Sequence, residues 1–138
     1  MTSNQAGSLD QLIAAMPFAD SLGIELDAAA RDEVWGRLSW DPSRCTVGGV
    51  MHGGSLMSFA DSLGAICAFL NLPEGAGTAT IESKTNLFRA VRGGVVRGVC
   101  RPLHVGRSTI VVQSDLSDDG DRRVAQVTQT QSILRPET

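Results

Sequence analysis

The chain has 138 residues, which is enough for one domain with a hydrophobic core and too few for two ordinary domains. A net charge of −3, scattered basic residues and an aromatic content of 4% argue against a nucleic-acid partner, because neither cationic runs nor stacking side chains are available. Three widely spaced cysteines without a Cys-x-x-Cys pair argue against a disulfide framework or a metal site and fit a reducing cytoplasm.

The first third of the chain predicts a short helix and two strands. Amphipathic spacing over residues 9–16, closed by Pro17, is typical of a helical turn. Residues 22–26 and 33–40 are predicted strands. The polar segment 43–51 then predicts a loop that leads into a helix.

No segment predicts a membrane anchor or a secretory leader. Residues 1–10 are polar, and the apolar stretch 56–70 is shorter than a bilayer span requires. We therefore expect a soluble cytoplasmic protein with no membrane partner.

The central helix is predicted to begin at Gly53. An apolar stripe with helical spacing suits a helix packed on a sheet, and its members are Leu56, Phe59, Leu63, Ile66 and Leu70. Asp61 is the only charged residue between His52 and Asn71. It falls on the other side of the helix, with Met57, Gly64, Ala65 and Ala68. A lone carboxylate in such a run needs a compensating role, so Asp61 is the residue we expect to carry chemistry.

The rest of the chain predicts four strands, rich in Val, Ile and Thr: residues 78–88, 95–103, 108–116 and 123–134. The acidic, Gly-containing segment 118–121 predicts a hairpin between the last two. Two strands, a long helix and four antiparallel strands make an α+β domain in which one sheet wraps around the helix. We expect a single domain over residues 1–138, with residues 1–20 as an N-terminal extension.

Gly53 and Gly54 occupy the first turn of the helix, where backbone N–H groups lack partners inside the helix. These amides can approach a carbonyl oxygen, as stabilisation of an oxyanion requires, and His52 can support them. Asp61 lies about 12 Å further along the helix axis, so the two cannot act on one bond within one chain. A two-fold partner would bring its own Gly53 beside Asp61, which makes a homodimer the minimum assembly.

These residues resemble those of the hotdog-fold acyl-CoA thioesterases. The resemblance rests on the segment 49–54, on Asp61 nine residues after His52, and on the segment 96–107. The second segment resembles the bacterial enzymes of 4-hydroxybenzoyl-CoA hydrolysis and of phenylacetate degradation. It implies hydrolysis of an aromatic or medium-chain acyl-CoA, no cofactor and no metal, and a homotetramer built from dimers.

The resemblance also implies roles for individual residues. Gly53 would polarise the thioester carbonyl with support from His52, and Asp61 would be nucleophile or general base. Thr46 stands where the family often has a carboxamide. Thr80 is our candidate for holding the water, because Ala65 replaces the hydroxyl that some members use.

Substrate-binding residues follow on the same basis. Gly54, Met57 and Ala65 are candidate substrate-binding residues, and the side chains of Met57, Phe59, Ala65 and Ala68 indicate an apolar pocket with room for a ring or a medium chain. Arg89 and Arg107 are the candidates for contacting the CoA phosphates.

Two other functions stay open at this point. A hotdog enoyl-CoA hydratase or dehydratase would need a further histidine, and His104 is the only one left. A non-catalytic acyl-CoA-binding module is the second alternative, since Thr46 and Ala65 both depart from the pattern of the family.

Overall fold

The computed structural model describes the backbone of residues 3–136 and the side chains of residues 8–136. The first two and last two residues of the predicted domain lie outside this range. In chain order the elements are α1 (Ser3–Ala14), α2 (Pro17–Leu22), β1 (Glu25–Ala29), β2 (Val34–Ser39), a 3-10 turn (Pro42–Arg44), α3 (Gly53–Leu70), β3 (Gly77–Leu87), β4 (Val95–Val105), β5 (Thr109–Ser117) and β6 (Arg123–Leu134).

The six strands form one sheet in the order β1-β2-β4-β5-β6-β3, and every neighbouring pair is antiparallel. The hairpin predicted between β5 and β6 is present, with the Asp118 carboxylate accepting the backbone N–H groups of Gly120 and Arg122. Since β3 pairs with the last strand, β1 and β3 are the two edges. The α+β prediction, with one sheet around a central helix, is confirmed.

The central helix packs on the sheet through the predicted stripe: Leu56, Phe59, Leu63 and Ile66 are buried, and Leu70 is half-buried. Gly36 and Gly98 pair across β2 and β4 and leave a depression beneath Leu63. A Cβ atom on Gly36 would lie 2.9 Å from Leu63 Cδ2, and one on Gly98 would lie 2.7 Å from Leu63 Cδ1. The paired glycines therefore set how closely α3 approaches the sheet.

The face of α3 that carries Asp61 is only partly exposed. Met57 and Asp61 are exposed and Ala65 is half-buried, but Gly64 and Ala68 are fully buried. The two buried residues still share this face by helical spacing, as predicted, and Gly64 is buried because Gln129 of β6 packs against it.

The N-terminal segment differs most from the prediction. Pro17 ends the first helical segment but also begins α2, where its fixed φ suits the first turn of a helix. Gly23 closes α2 with a φ of 89°. The strand predicted at residues 22–26 was therefore placed three residues too early, and β1 begins at Glu25.

Helix α3 is also long and apolar enough to cross a membrane, judged by length and composition alone. Half of that stretch is buried inside the protein, as in the core helix of a sheet-covered fold. Its hydropathy is thus explained by packing against the protein's own sheet.

Candidate functional site

The site begins at the first turn of α3, where His52 is the N-cap residue. Its Nδ1 atom accepts the Gly54 N–H at 2.8 Å, and its carbonyl oxygen accepts the N–H groups of Ser55 and Leu56. A neutral ring in this arrangement carries its proton on Nε2. Within the described residues no acceptor faces the Gly53 N–H, which leaves this amide as the free donor at the positive end of the helix.

The loop before the helix is held by hydrogen bonds on both sides. The N–H of Thr46 donates to Val50 O at 2.8 Å, and Trp40 Nε1 donates to Gly49 O at 3.0 Å. Trp40, which follows β2, thus links the loop to the sheet. The Thr46 side chain is exposed beside Val47, which is 94% exposed.

Asp61 lies two turns further along α3, in a small pocket of about 230 Å³. The other residues of this pocket are Phe18, Met57, Ser58, Ser62 and Ser83. Asp61 is the only charged residue among them. Partial burial raises the pKa of Asp61 above its ordinary value, and a hydrogen bond from Gln129 acts in the opposite direction. The net direction is upward, so this carboxylate is more basic than an aspartate surrounded by water on all sides.

Gln129 is a site residue that the sequence reasoning missed. Its Nε2 atom donates to Asp61 Oδ1 at 2.6 Å, although it comes from β6 rather than from the helix. The side chain is only 1% exposed. The alternation of inward and outward side chains along β6 could have identified it. Gln129 and Gln131 fall between Val127 and Ile133 on the side that faces the helix.

Thr80 lies on β3, but it is not among the residues that line the Asp61 pocket. Its Oγ1 atom accepts a hydrogen bond from Gln131 Nε2 at 2.8 Å. The β3 residue in the pocket is Ser83, which pairs directly with Gln129 on β6. The structure therefore brings Ser83, and not Thr80, next to Asp61 within one chain.

A second cavity opens one helical turn beyond Asp61. It has a volume of about 360 Å³ and its walls are mostly apolar; they are formed by Ser8, Gln11, Leu12, Ala15, Met16, Ala65, Ile66, Phe69 and Thr78. Ala65 lies four residues after Asp61 and hence on the same side of α3. The two cavities share no lining residue, but both border this side of α3.

The two candidate arginines lie at opposite ends of α3. Arg89 follows β3 close to Val91, whose carbonyl accepts the N–H of Met51 just before the helix. Arg107 lies in the turn after β4, and its neighbour Gly106 borders a depression shared with Asn71, the C-cap of α3. An 18-residue helix spans about 27 Å, so the two arginines of one chain cannot bind the same phosphate.

His104 also lies away from Asp61. A Cβ atom on Gly106 would be 2.5 Å from His104 Nε2, so the ring packs against the turn after β4. That turn is at the end of α3 opposite to His52.

Within one chain Gly53 and Asp61 do not meet. Eight residues of helix separate them by about 12 Å along the axis, and Gly53 does not line the Asp61 pocket. A Cβ atom on Gly53 would instead lie 2.8 Å from Leu87 Cδ1 of β3. The free amide donor and the carboxylate thus belong to different regions of the chain.

Comparison with known proteins identifies the family of the chain. Residues 48–125 match the family model of the thioesterase superfamily. The proofreading thioesterase EntH of Cronobacter turicensis is 32% identical over 104 residues, covering 75% of this chain and 76% of the relative. The 1,4-dihydroxy-2-naphthoyl-CoA hydrolase of Escherichia coli is 34% identical over 86 residues, covering 62% of this chain and 63% of the relative. The crystal structure of a variant thioesterase from Pseudomonas aeruginosa superimposes with a TM-score of 0.86 at 28% identity, covering 91% of this chain and 93% of that one.

Proposed function

Because the chain belongs to the thioesterase superfamily and has its hotdog fold, we propose that it hydrolyses an acyl-CoA thioester to a free acid and CoA. The observation that carries this proposal is Asp61: it is the single charge in its pocket, and its pKa is raised by partial burial. A basic carboxylate beside a space for substrate is what activation of water or attack on a carbonyl requires.

The reaction needs an acid–base group and an oxyanion donor. In the general-base route, Asp61 takes a proton from water, the hydroxide attacks the thioester carbon, and the tetrahedral oxyanion expels CoA as the thiolate. In the nucleophilic route, Asp61 attacks the thioester carbon and expels the CoA thiolate, and water then cleaves the resulting mixed anhydride to the free acid and the Asp61 carboxylate. Both routes build negative charge on the carbonyl oxygen, and the free Gly53 N–H at the helix N-terminus suits that charge.

We propose that Gly53 and Asp61 of one site come from two subunits of a homodimer. The separation of about 12 Å within one chain motivates this arrangement. Strand β3 is a free edge with exposed Ile81 and Leu87, and Met57 is exposed on the adjoining face of α3. Unpaired edge groups and exposed apolar side chains favour pairing of β3 with a second copy. The resemblance to hotdog thioesterases extends this proposal to a tetramer of two such dimers.

The cavity beyond Asp61 is our proposed place for the acyl group. Its volume of about 360 Å³ and its mostly apolar walls suit an aromatic ring or a medium alkyl chain. It adjoins the Asp61 pocket through successive turns of α3, from Ser62 to Ala65. The substrate would therefore place its carbonyl at Asp61 and its acyl group beside Ala65.

Release of free thiol from CoA thioesters tests the proposal directly. A panel of benzoyl-, phenylacetyl-, hexanoyl- and acetyl-CoA would be assayed with a thiol reagent for the wild type and for Asp61→Asn. We expect turnover of the larger acyl groups by the wild type and a loss of several orders of magnitude in the variant, with an unchanged circular dichroism spectrum. Equal rates for the two proteins would contradict the role of Asp61, and an absence of thiol release from every thioester by the wild type would contradict the function.

A further inference from the structure

Gln129 is the only hydrogen-bond donor to the Asp61 carboxylate in the described part of the chain. The Nε2–Oδ1 distance is 2.6 Å, at the short end for a bond to a charged acceptor. The Gln129 side chain is 1% exposed, so the sheet and the helix hold it on every side. The Gln129 side chain is thus fixed by packing, unlike the side chains of a mobile surface pair.

The position of the Gln129 amide is set by three elements at once. Its backbone pairs with Val112 of β5 and with Ser83 of β3, so its strand is held on both sides. On α3 it packs against Gly64, where an added Cβ atom would lie 1.6 Å from Gln129 Oε1. Only a glycine at this position leaves space for the amide beneath the helix.

The other end of the same amide has no partner. Gln129 Oε1 is buried, and no described residue donates a hydrogen bond to it. An unpaired buried acceptor lowers the free energy of unfolding, and a similarly shaped apolar side chain such as methionine would avoid this cost. Stability alone therefore does not explain a glutamine at this position.

We propose that Gln129 is a positioning residue for the thioesterase reaction, one whose amide holds Oδ1 of Asp61 so that Oδ2 is directed at the substrate carbonyl or its water. This proposal rests on the proposed function. Asp61 has a short side chain with two rotatable bonds, and one fixed oxygen removes most of its orientational freedom. The same N–H also favours the ionised carboxylate against partial burial.

The variant that tests the proposal is Gln129→Met, which keeps the shape of the side chain and removes the donor. The matched control is Gln126→Met on the same strand. Gln126 Nε2 donates to Asp115 Oδ1 at 2.9 Å, so the control removes the same kind of bond on the outer side of the sheet. Each variant would be measured for kcat, KM, the pH dependence of kcat, and Tm.

We expect Gln129→Met to lower kcat by about 10- to 100-fold, which corresponds to one hydrogen bond to a charged group. KM should stay nearly constant, and the acid limb of the kcat profile should move to higher pH. Below the ordinary Asp61 pKa of 3.8, where the carboxyl group is protonated, Tm should equal or exceed that of the wild type. Gln126→Met should leave kcat and the acid limb unchanged. With a purely structural glutamine, the replacement would instead lower Tm below pH 3.8 as well and leave the pH profile in place.

The proposal is overturned if Gln129→Met retains the kcat and the acid limb of an active wild type, or if it loses activity only in proportion to a lost folded fraction. A wild type that hydrolyses no thioester would overturn the proposed function instead. In that case, titration of the Asp61 carboxyl carbon by NMR still decides the contact. Its pKa must be higher in Gln129→Met than in the wild type, and equal values would refute the inference.

Discussion

His52 Nδ1 accepts the backbone N–H of Gly54 at 2.8 Å, and this bond leaves the Gly53 N–H at the start of α3 without a partner among residues 3–136. A histidine at the N-cap therefore has two tasks. Its side chain accepts one of the backbone N–H groups that have no partner inside the first turn of the helix. Its position also leaves the Gly53 N–H available as a donor.

Replacement of His52 separates these tasks. His52→Ala removes the cap and should lower the free energy of unfolding by about 0.5–2 kcal/mol, with a fall in kcat, because the first turn loses its acceptor. His52→Asn restores an N-cap acceptor and should recover most of both quantities. Urea denaturation and the thiol-release assay measure them. Recovery of stability without recovery of kcat would mean that the imidazole Nε2 contacts the substrate itself.

The Gly53 amide can be removed without breaking the helix. Proline is tolerated at the first helical position, and His52 already has φ −61° and ψ 135°, a conformation allowed before proline. Gly53→Pro should lower kcat by about 10²- to 10³-fold, the usual loss for one oxyanion donor. Gly53→Ala is the control, since it adds the same Cβ atom near Leu87 and keeps the N–H. Equal rates for the proline and alanine variants would refute an oxyanion role for this amide.

A shared site predicts complementation between two inactive variants. When Asp61→Asn and Gly53→Pro subunits exchange in equal amounts, random pairing makes half of the dimers mixed, and each mixed dimer has one intact site of two. Activity should therefore return to about a quarter of the wild-type value. Asp61→Asn mixed with Asp61→Ala should stay inactive. If the first mixture also stays inactive although subunit exchange is demonstrated, the two residues do not share a site across subunits.

The raised pKa of Asp61 predicts that its charge lowers stability at neutral pH. For a carboxyl group whose pKa is higher in the folded chain, the stabilising contribution is present below the unfolded pKa and is lost as the pH rises through the folded value. Asp61→Asn removes the ionisation and keeps an oxygen for the Gln129 N–H. Its Tm should exceed that of the wild type at pH 7, and the difference should vanish below the ordinary value of 3.8. A lower Tm at pH 7 would contradict the assigned direction of the shift.

The central helix could be predicted from the sequence because its apolar stripe repeats with the helical period, and the hairpin after β5 could be predicted from its turn residues. Helix α2 could not, because its six residues are too few to show a period. Its boundaries come from Pro17 and Gly23, which also suit a loop between strands. The local pattern was compatible with both structures.

Asp61 could be singled out because a charge inside an apolar run is visible without any fold. Its partner Gln129 follows it by 68 residues, and only the pairing of β6 with β3 and β5 brings the two together. The burial of Gly64 and Ala68 escaped prediction for a related reason. The curvature of the sheet around α3 depends on all six strands, so it cannot be predicted from any single segment of the sequence.

The paired Gly36 and Gly98 lie beneath Leu63, only two residues along α3 from Asp61. Because they lack side chains, they set how closely α3 approaches the sheet. The 2.6 Å contact between Gln129 and Asp61, on the other side of α3, depends on that distance. A methyl group added to β4 at Gly98 would push the helix outward and draw the carboxylate away from its amide. The position of the Asp61 carboxylate thus depends partly on two backbone positions of the sheet, neither of which lines its pocket.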